Sequence, residues 1–213
     1  MVMLILAVAL FAAAGRLDWL VGWAYWIVHY LIALLTALWM LRINPELSQE
    51  RTRPGKNIKR WDQIIVTINL CLTLGLYAVI GLDAGRFGWS SIPLLIRLFA
   101  LFGFIPAFGL PLAASQANAF LSSRVRIQAD RGHQVVDQGP YHFVRHPMYL
   151  GMLFFNLCLP LLLGSWWGLA VGGAMNLLVF VRTTMEDRTL QAELPGYAEY
   201  AKRVRYRLIP GIW

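Results

Sequence analysis

Apolar residues in this chain do not alternate with polar ones. They come in long, almost uncharged blocks separated by short polar connections. Six blocks stand out, at about residues 1–15, 19–41, 64–82, 92–119, 148–164 and 166–181. A helix needs roughly 20 apolar residues to cross a bilayer core, and most of the blocks approach that length. The first and the last two are shorter. The stretch 148–181 is too long for one span at about 1.5 Å per residue, so Gly164-Ser165 is read as a turn between two antiparallel helices. No strict alternation runs between turn residues, so strands are not expected. The pattern predicts an all-α, multi-pass transmembrane helical bundle of about five or six spans with a C-terminal helical hairpin. We read residues 1–213 as a single membrane domain, with N-terminal spans over 1–119 and a polar, chemistry-bearing region over 120–213.

Composition strengthens that reading. Charged residues make up 14% and hydrophobic residues 58% of the chain, with a mean hydropathy of +0.56. A soluble domain carries roughly 25% charged residues, so lipid is the expected solvent for most of this surface. The opening run lacks the basic leader of a signal peptide, and a retained first span is expected. Cys71 and Cys158 both lie inside apolar blocks, where they read as buried thiols rather than as a disulfide framework.

The placement of charge then orients the bundle. The connection 42–63 holds six Lys or Arg (Arg42, Arg51, Arg53, Lys56, Lys59, Arg60). The connection 120–147 holds four (Arg124, Arg126, Arg131, Arg145), and the tail from 182 holds six (Arg182, Arg188, Lys202, Arg203, Arg205, Arg207). The opposite connections hold only Arg16 and Arg86. With six spans the three basic segments share one side, which the positive-inside rule makes cytoplasmic together with the N-terminus. The net charge of +8 is therefore assigned to loops beside anionic headgroups, and nucleic acid is not an expected partner. Arg97 departs from this pattern: it either snorkels to the outer interface or faces a polar cavity. Asn69, Asn156 and Asn176 lie inside spans, where bonding between helices is expected.

Chemistry concentrates in one stretch, RVRIQADRGHQVVDQGPYHFVRHPMYLG, residues 124–151, which contains three of the four His. Gly132, Gly139 and Pro140 mark turns, and Pro147 suits the first turn of the fifth span. Arg145, His146 and Tyr149 would then sit at a helix mouth whose free N–H groups favour an anionic group. The His residues come without nearby Cys or a helical HExxH, so no metal is expected. A second cluster, Arg182, Glu186, Asp187 and Arg188, follows the last span. Arg182 and Glu186 are four apart and share a helix face, and the hairpin can bring them beside 141–149. A carboxylate there can bond ribose hydroxyls or an amine, and a guanidinium can fork onto a carboxylate. The tail YAEYAKRVRYRLIPGIW reads as a basic, amphipathic or solvated segment at the headgroup surface.

Taken together, GPYHFVRHPMYLG, the apolar hairpin after it, RTTMEDRTL, PGYAEYAKRV and a terminal Ile-Pro resemble the isoprenylcysteine carboxyl methyltransferase family, within a broader group that includes phospholipid N-methyltransferases. The resemblance covers roughly residues 126–210. It implies S-adenosylmethionine as methyl donor, bound on the cytoplasmic side by His133, Gln134, Val135, Val136, Tyr141, His146, Pro147, Met148, Tyr149 and Glu186. Gln128 matches a cofactor-binding Gln, although its spacing to His133 is shorter. Arg182 is implied to face the substrate, and Arg145 and Arg182 are the expected catalytic residues. Asp187 stands where Glu is common, and the tail reads Val204-Arg205-Tyr206-Arg207 where Val-Pro-Arg is common. The expected activity is methyl transfer to a lipophilic or amphiphilic acceptor: a prenylcysteine-like carboxylate, a lipid amine or a thiol. Two other readings stay open: a membrane NADPH-dependent sterol-type reductase, and a non-enzymatic lipid-binding or transport protein.

Overall fold

A computed structural model describes residues 1–45, 47–48 and 58–213. The described residues form seven α-helices and no strand: α1 (Val2–Ala14), α2 (Leu20–Ile43), α3 (Arg60–Ile80), α4 (Leu94–Ala117), α5 (Pro147–Leu163), α6 (Trp166–Glu193) and α7 (Tyr197–Arg203). A π-helical turn, Gly81–Phe87, prolongs α3. All six apolar blocks are helices. Among the described residues, four helices are long and apolar enough to cross a membrane: Leu20–Ile43, Arg60–Phe87, Leu94–Ala117 and Trp166–Glu193. The 13 residues of α1 rise only about 20 Å, short of a hydrocarbon core of roughly 30 Å. Helix α6 runs well past its apolar block, because Thr183 and Asp187 find buried partners on it.

The ends of these helices follow from single residues. Gly15 stops α1 at φ 64°, with its N–H on the carbonyls of Phe11 and Ala12. Gly164 stops α5 at φ 93°, a left-handed conformation that glycine adopts without steric cost. The next residue, Ser165, caps α6 by accepting from the N–H of Gly168 at 2.8 Å. The Gly164-Ser165 turn is therefore where the sequence puts it. Pro147 opens α5 behind the cap residue His146.

Packing follows membrane rules. Water-driven burial is weak between helices in lipid, so small residues that admit close approach carry the contacts. A side chain at Gly103 would overlap Cys158, and one at Gly172 would overlap the carbonyl of Asn156. Asn156 Nδ2 donates to Asn176 Oδ1 at 2.9 Å, tying α5 to α6 as expected of in-span Asn residues. Leu10, Leu76, Ile80, Leu159 and Leu163 form the centre of the largest apolar cluster. Outward-facing Leu31, Leu35, Leu95, Phe99, Phe102 and Ile105 leave α2 and α4 coated with exposed apolar side chains, a surface suited to lipid and not to water.

Two expectations need correction. Cys71 is exposed on the outside of α3, because its helix presents that face to the surroundings; only Cys158 is buried. The tail is not a free solvated segment. Leu208 is fully buried, Leu208 and Ile209 donate to the Trp213 carbonyl, and the Trp213 ring lies 5.3 Å from that of Phe180. Lys202, Arg203 and Arg205 remain exposed. Arg97 lies against Gly164 at the hairpin turn, with its Nε buried and without a hydrogen-bond partner among the described residues.

The polar segments converge on one end of the bundle. Lys59 Nζ contacts Glu193 at 2.6 Å, and the Lys59 N–H faces the Val125 carbonyl at 3.5 Å. Of the first basic connection, Arg51, Arg53 and Lys56 lie outside the described residues.

Candidate cofactor cleft

At that polar end lies a narrow cleft with a cavity volume of about 80 Å³. One wall is the loop after α4, with Phe120, Ser122, Arg124 and Arg126. The opposite wall is the face of α6 that carries Glu186 and Leu190, joined by Tyr197 and Tyr200 of α7. Between them lie the segment 133–136 and the entry to α5. Eleven of the residues singled out from the sequence line this one cleft: His133, Gln134, Val135, Val136, Tyr141, Arg145, His146, Pro147, Met148, Tyr149 and Glu186. Gln128 and Arg182 do not line it.

Glu186 and Asp187 are neighbours in sequence and opposites in use. Successive helix residues point about 100° apart. Glu186 turns to the cleft, where Tyr149 Oη donates to its Oε2 at 2.5 Å. Asp187 turns inward and is fully buried. It accepts from Arg145 Nε at 2.8 Å and Nη2 at 3.1 Å, from Arg207 Nε at 3.0 Å, from Gln191 Nε2 at 2.8 Å and from Tyr197 Oη at 3.1 Å. His146 Nε2 lies 3.3 Å from the same carboxylate.

Arg145 is correspondingly committed. Its Nη1 donates to the carbonyls of Ala201, Val204 and Arg205, the shortest at 2.8 Å. Two backbone bonds, Arg145 N–H to the Tyr206 carbonyl and His146 N–H to the Arg207 carbonyl, both 2.9 Å, lay the tail along the entry to α5. The guanidinium binds the tail to Asp187. Arg145 lines the cleft as a fixed wall, with its hydrogen-bonding capacity spent on the protein.

Gln128 is also used structurally. It is fully buried, its Nε2 donates to the Phe120 carbonyl at 2.6 Å, and its Oε1 accepts from Arg131 at 2.6 Å. Both ends of its amide hold the loop that carries His133. The backbone N–H of Gln128 donates to His133 Nδ1 at 3.3 Å, which leaves the imidazole proton on Nε2. Burial, then the charges of Arg126 and Arg131, lower the His133 pKa to about 4, so the ring is neutral near pH 7.

Arg182 sits just behind the cleft. Its Nε donates to Asp62 Oδ1 at 2.9 Å, its Nη2 donates to the Ser123 carbonyl at 3.0 Å, and its guanidinium carbon lies 5.3 Å from the centre of the Tyr149 ring. Asp62 is fully buried, and its other oxygen accepts from the Val125 N–H at 3.0 Å. Sequence reasoning passed over Asp62. Its available signal was a single acid in the first turn of an apolar helix, embedded in a basic connection. It also treated Asp187 as a mild departure from a pattern, because a hub with partners in four separate segments leaves no local signature.

Residues 101–192, somewhat under half of the 213-residue chain, match the sequence profile of the Isoprenylcysteine carboxyl methyltransferase (ICMT) family. No curated protein matches the chain. The matched stretch runs from within α4 through nearly all of α6, and so contains the first cleft wall, the entry to α5 and Glu186. It leaves out Asp62 and the tail.

Proposed function

We propose, from the match of residues 101–192 to the isoprenylcysteine carboxyl methyltransferase family, that this protein is an integral membrane methyltransferase. It uses S-adenosylmethionine to methylate a lipophilic or amphiphilic acceptor. The observation that carries the reading is the placement of the Glu186–Tyr149 pair on a polar cleft at one end of a lipid-facing bundle. The acceptor class is a prenylcysteine-like carboxylate, a lipid amine or a thiol. The three basic segments support a cytoplasmic orientation for this end. We take residues 1–213 as one membrane domain.

The lining fits the donor. Glu186 offers a carboxylate whose second oxygen is left for ribose hydroxyls or an ammonium, while Tyr149 holds the first. Val135, Val136, Pro147 and Met148 supply apolar wall that excludes water from a reacting centre. S-adenosylmethionine supplies a methyl group activated on a sulfonium, and transfer is an in-line displacement. The protein needs alignment above all, with no covalent nucleophile. Asp62 holds Arg182 over the Tyr149 ring, where the guanidinium can orient an acceptor carboxylate arriving from the bilayer side. A carboxylate acceptor needs no general base, whereas an amine or thiol must lose a proton. Arg145 acts as a positioning residue through Asp187.

The test is incubation of purified protein with methyl-labelled S-adenosylmethionine and a total lipid extract, followed by identification of the labelled product. Label in an organic-extractable product with wild type, and none with Glu186→Ala, is expected. Folded protein that labels nothing, and is stabilised by NADPH but not by S-adenosylmethionine, would favour the reductase reading instead.

A further inference from the structure

Arg124 has no part in the proposed methyl transfer as described so far. Arg124 lines the cleft, and its Nη1 is buried without a hydrogen-bond partner among the described residues. A buried guanidinium N–H left unpaired carries an uncompensated desolvation cost, so such a group persists where something compensates it. Its backbone is unusually constrained. On one side the Ser123 carbonyl accepts from Arg182 Nη2 at 3.0 Å. On the other the Val125 N–H donates to Asp62 Oδ2 at 3.0 Å. The Arg124 N–H itself donates to Ser122 Oγ at 3.2 Å. Asp62 and Arg182 are in turn paired at 2.9 Å. The residue is thus clamped from both neighbours by a single ion pair joining α3 to α6.

We propose that Arg124 is the receptor for the carboxylate of the methionyl end of S-adenosylmethionine, preorganised by the Asp62–Arg182 pair. The inference rests on the methyltransferase reading and extends it. The methionyl group is a zwitterion, and the cleft has matching poles: the Arg124 guanidinium on the loop after α4 and the Glu186 carboxylate on α6. The other candidate cations are less suited. Arg145 has spent its donors on Asp187 and the tail carbonyls, His133 is neutral near pH 7, and Arg126 is bridged to Asp130 at 3.3 Å. A planar guanidinium also matches a carboxylate in geometry. The assignment explains why Asp62, in a helix outside the family match, is fully buried beside a cleft it does not line.

The experiment compares two nucleosides in equilibrium binding to the full-length protein in detergent: S-adenosylhomocysteine, and its decarboxylated analogue, which keeps the ammonium. Arg124→Met is expected to weaken S-adenosylhomocysteine by about tenfold or more, the loss of a charge-assisted hydrogen bond. It should leave the analogue within about twofold of wild type, with thermal unfolding unchanged. Arg124→Lys should restore part of the loss. Equal weakening of both ligands, or of neither, overturns the assignment while leaving the methyltransferase reading in place. Wild-type protein that binds neither nucleoside overturns that reading and this inference with it. Asp62→Asn gives an independent arm: the same selective loss is expected in smaller measure, because the clamp relaxes while Arg124 remains. An unchanged ratio of the two affinities in Asp62→Asn contradicts the clamp.

Discussion

The two ends of the α5–α6 hairpin each bury a carboxylate completely, and they hold it by different means. At the turn, Asp83 Oδ2 accepts from the hydroxyls of Ser90 at 2.6 Å and Ser165 at 2.5 Å, while its Oδ1 has no partner among the described residues. At the open end, Asp187 is surrounded by two guanidinium groups, an imidazole, an amide and a phenol. Hydroxyls suffice to latch a turn whose neighbours are already joined by a tight link. The open end must hold together α5, α6, α7 and the tail, which no short loop constrains. There a buried charge with complete pairing fixes the relative positions of segments far apart in sequence. Glu186, one residue away, can then present its carboxylate to the cleft from a rigid frame.

The largest expected effect breaks the stronger end. Asp187→Ala leaves Arg145, only 7% exposed, as an uncompensated buried cation, a loss of about 3–5 kcal/mol. Thermal unfolding in detergent should show a large drop, and protease should cut the tail. Asp83→Ala at the turn should cost less, about 1–2 kcal/mol, since two hydroxyls lose an acceptor but no charge is stranded. Equal losses would contradict the contrast between the ends. Between these lies Gly172→Ala, whose new methyl would overlap the Asn156 carbonyl. A cost of about 1–3 kcal/mol is expected from overpacking, read from the same unfolding curve.

A smaller effect should follow pH. His133 has a folded pKa of about 4, against the ordinary histidine value of 6.5. Between these values the unfolded chain takes up a proton that the folded chain refuses, so stability falls as pH drops through that window and is fully present above it. Protonation would also remove the acceptor that Nδ1 offers to the Gln128 N–H. Melting temperatures measured between about pH 7 and about pH 4.5 should fall more steeply for wild type than for His133→Gln. Parallel curves would show that His133 is not the group responsible.

The helices were legible because lipid imposes a simple rule: long apolar blocks must become helices that satisfy their own backbone. The Gly164 turn and the Pro147 start were legible because each depends on one residue's backbone geometry. The cleft residues from His133 to Tyr149 were legible as a dense polar stretch at a helix mouth, and by family resemblance. The buried partners of Arg145 and Gln128 and the docking of the tail were not. Whether a guanidinium meets a ligand or a buried Asp187 is decided by tertiary partners up to 60 residues away in sequence, and composition carries no trace of them. Asp62 was hidden for the same reason, since its partner Arg182 lies 120 residues on. The exposed face of Cys71 was missed because an apolar block does not say which of its sides meets lipid.

Binding of S-adenosylmethionine to wild type, Glu186→Gln and Asp83→Asn, each in detergent with NADPH as a competitor, tests the central claim most directly. Saturable binding is predicted for wild type and Asp83→Asn, unaffected by NADPH. Glu186→Gln should bind at least about tenfold more weakly while melting like wild type. Glu186→Gln binding as tightly as wild type, or displacement of S-adenosylmethionine by NADPH, would contradict the account.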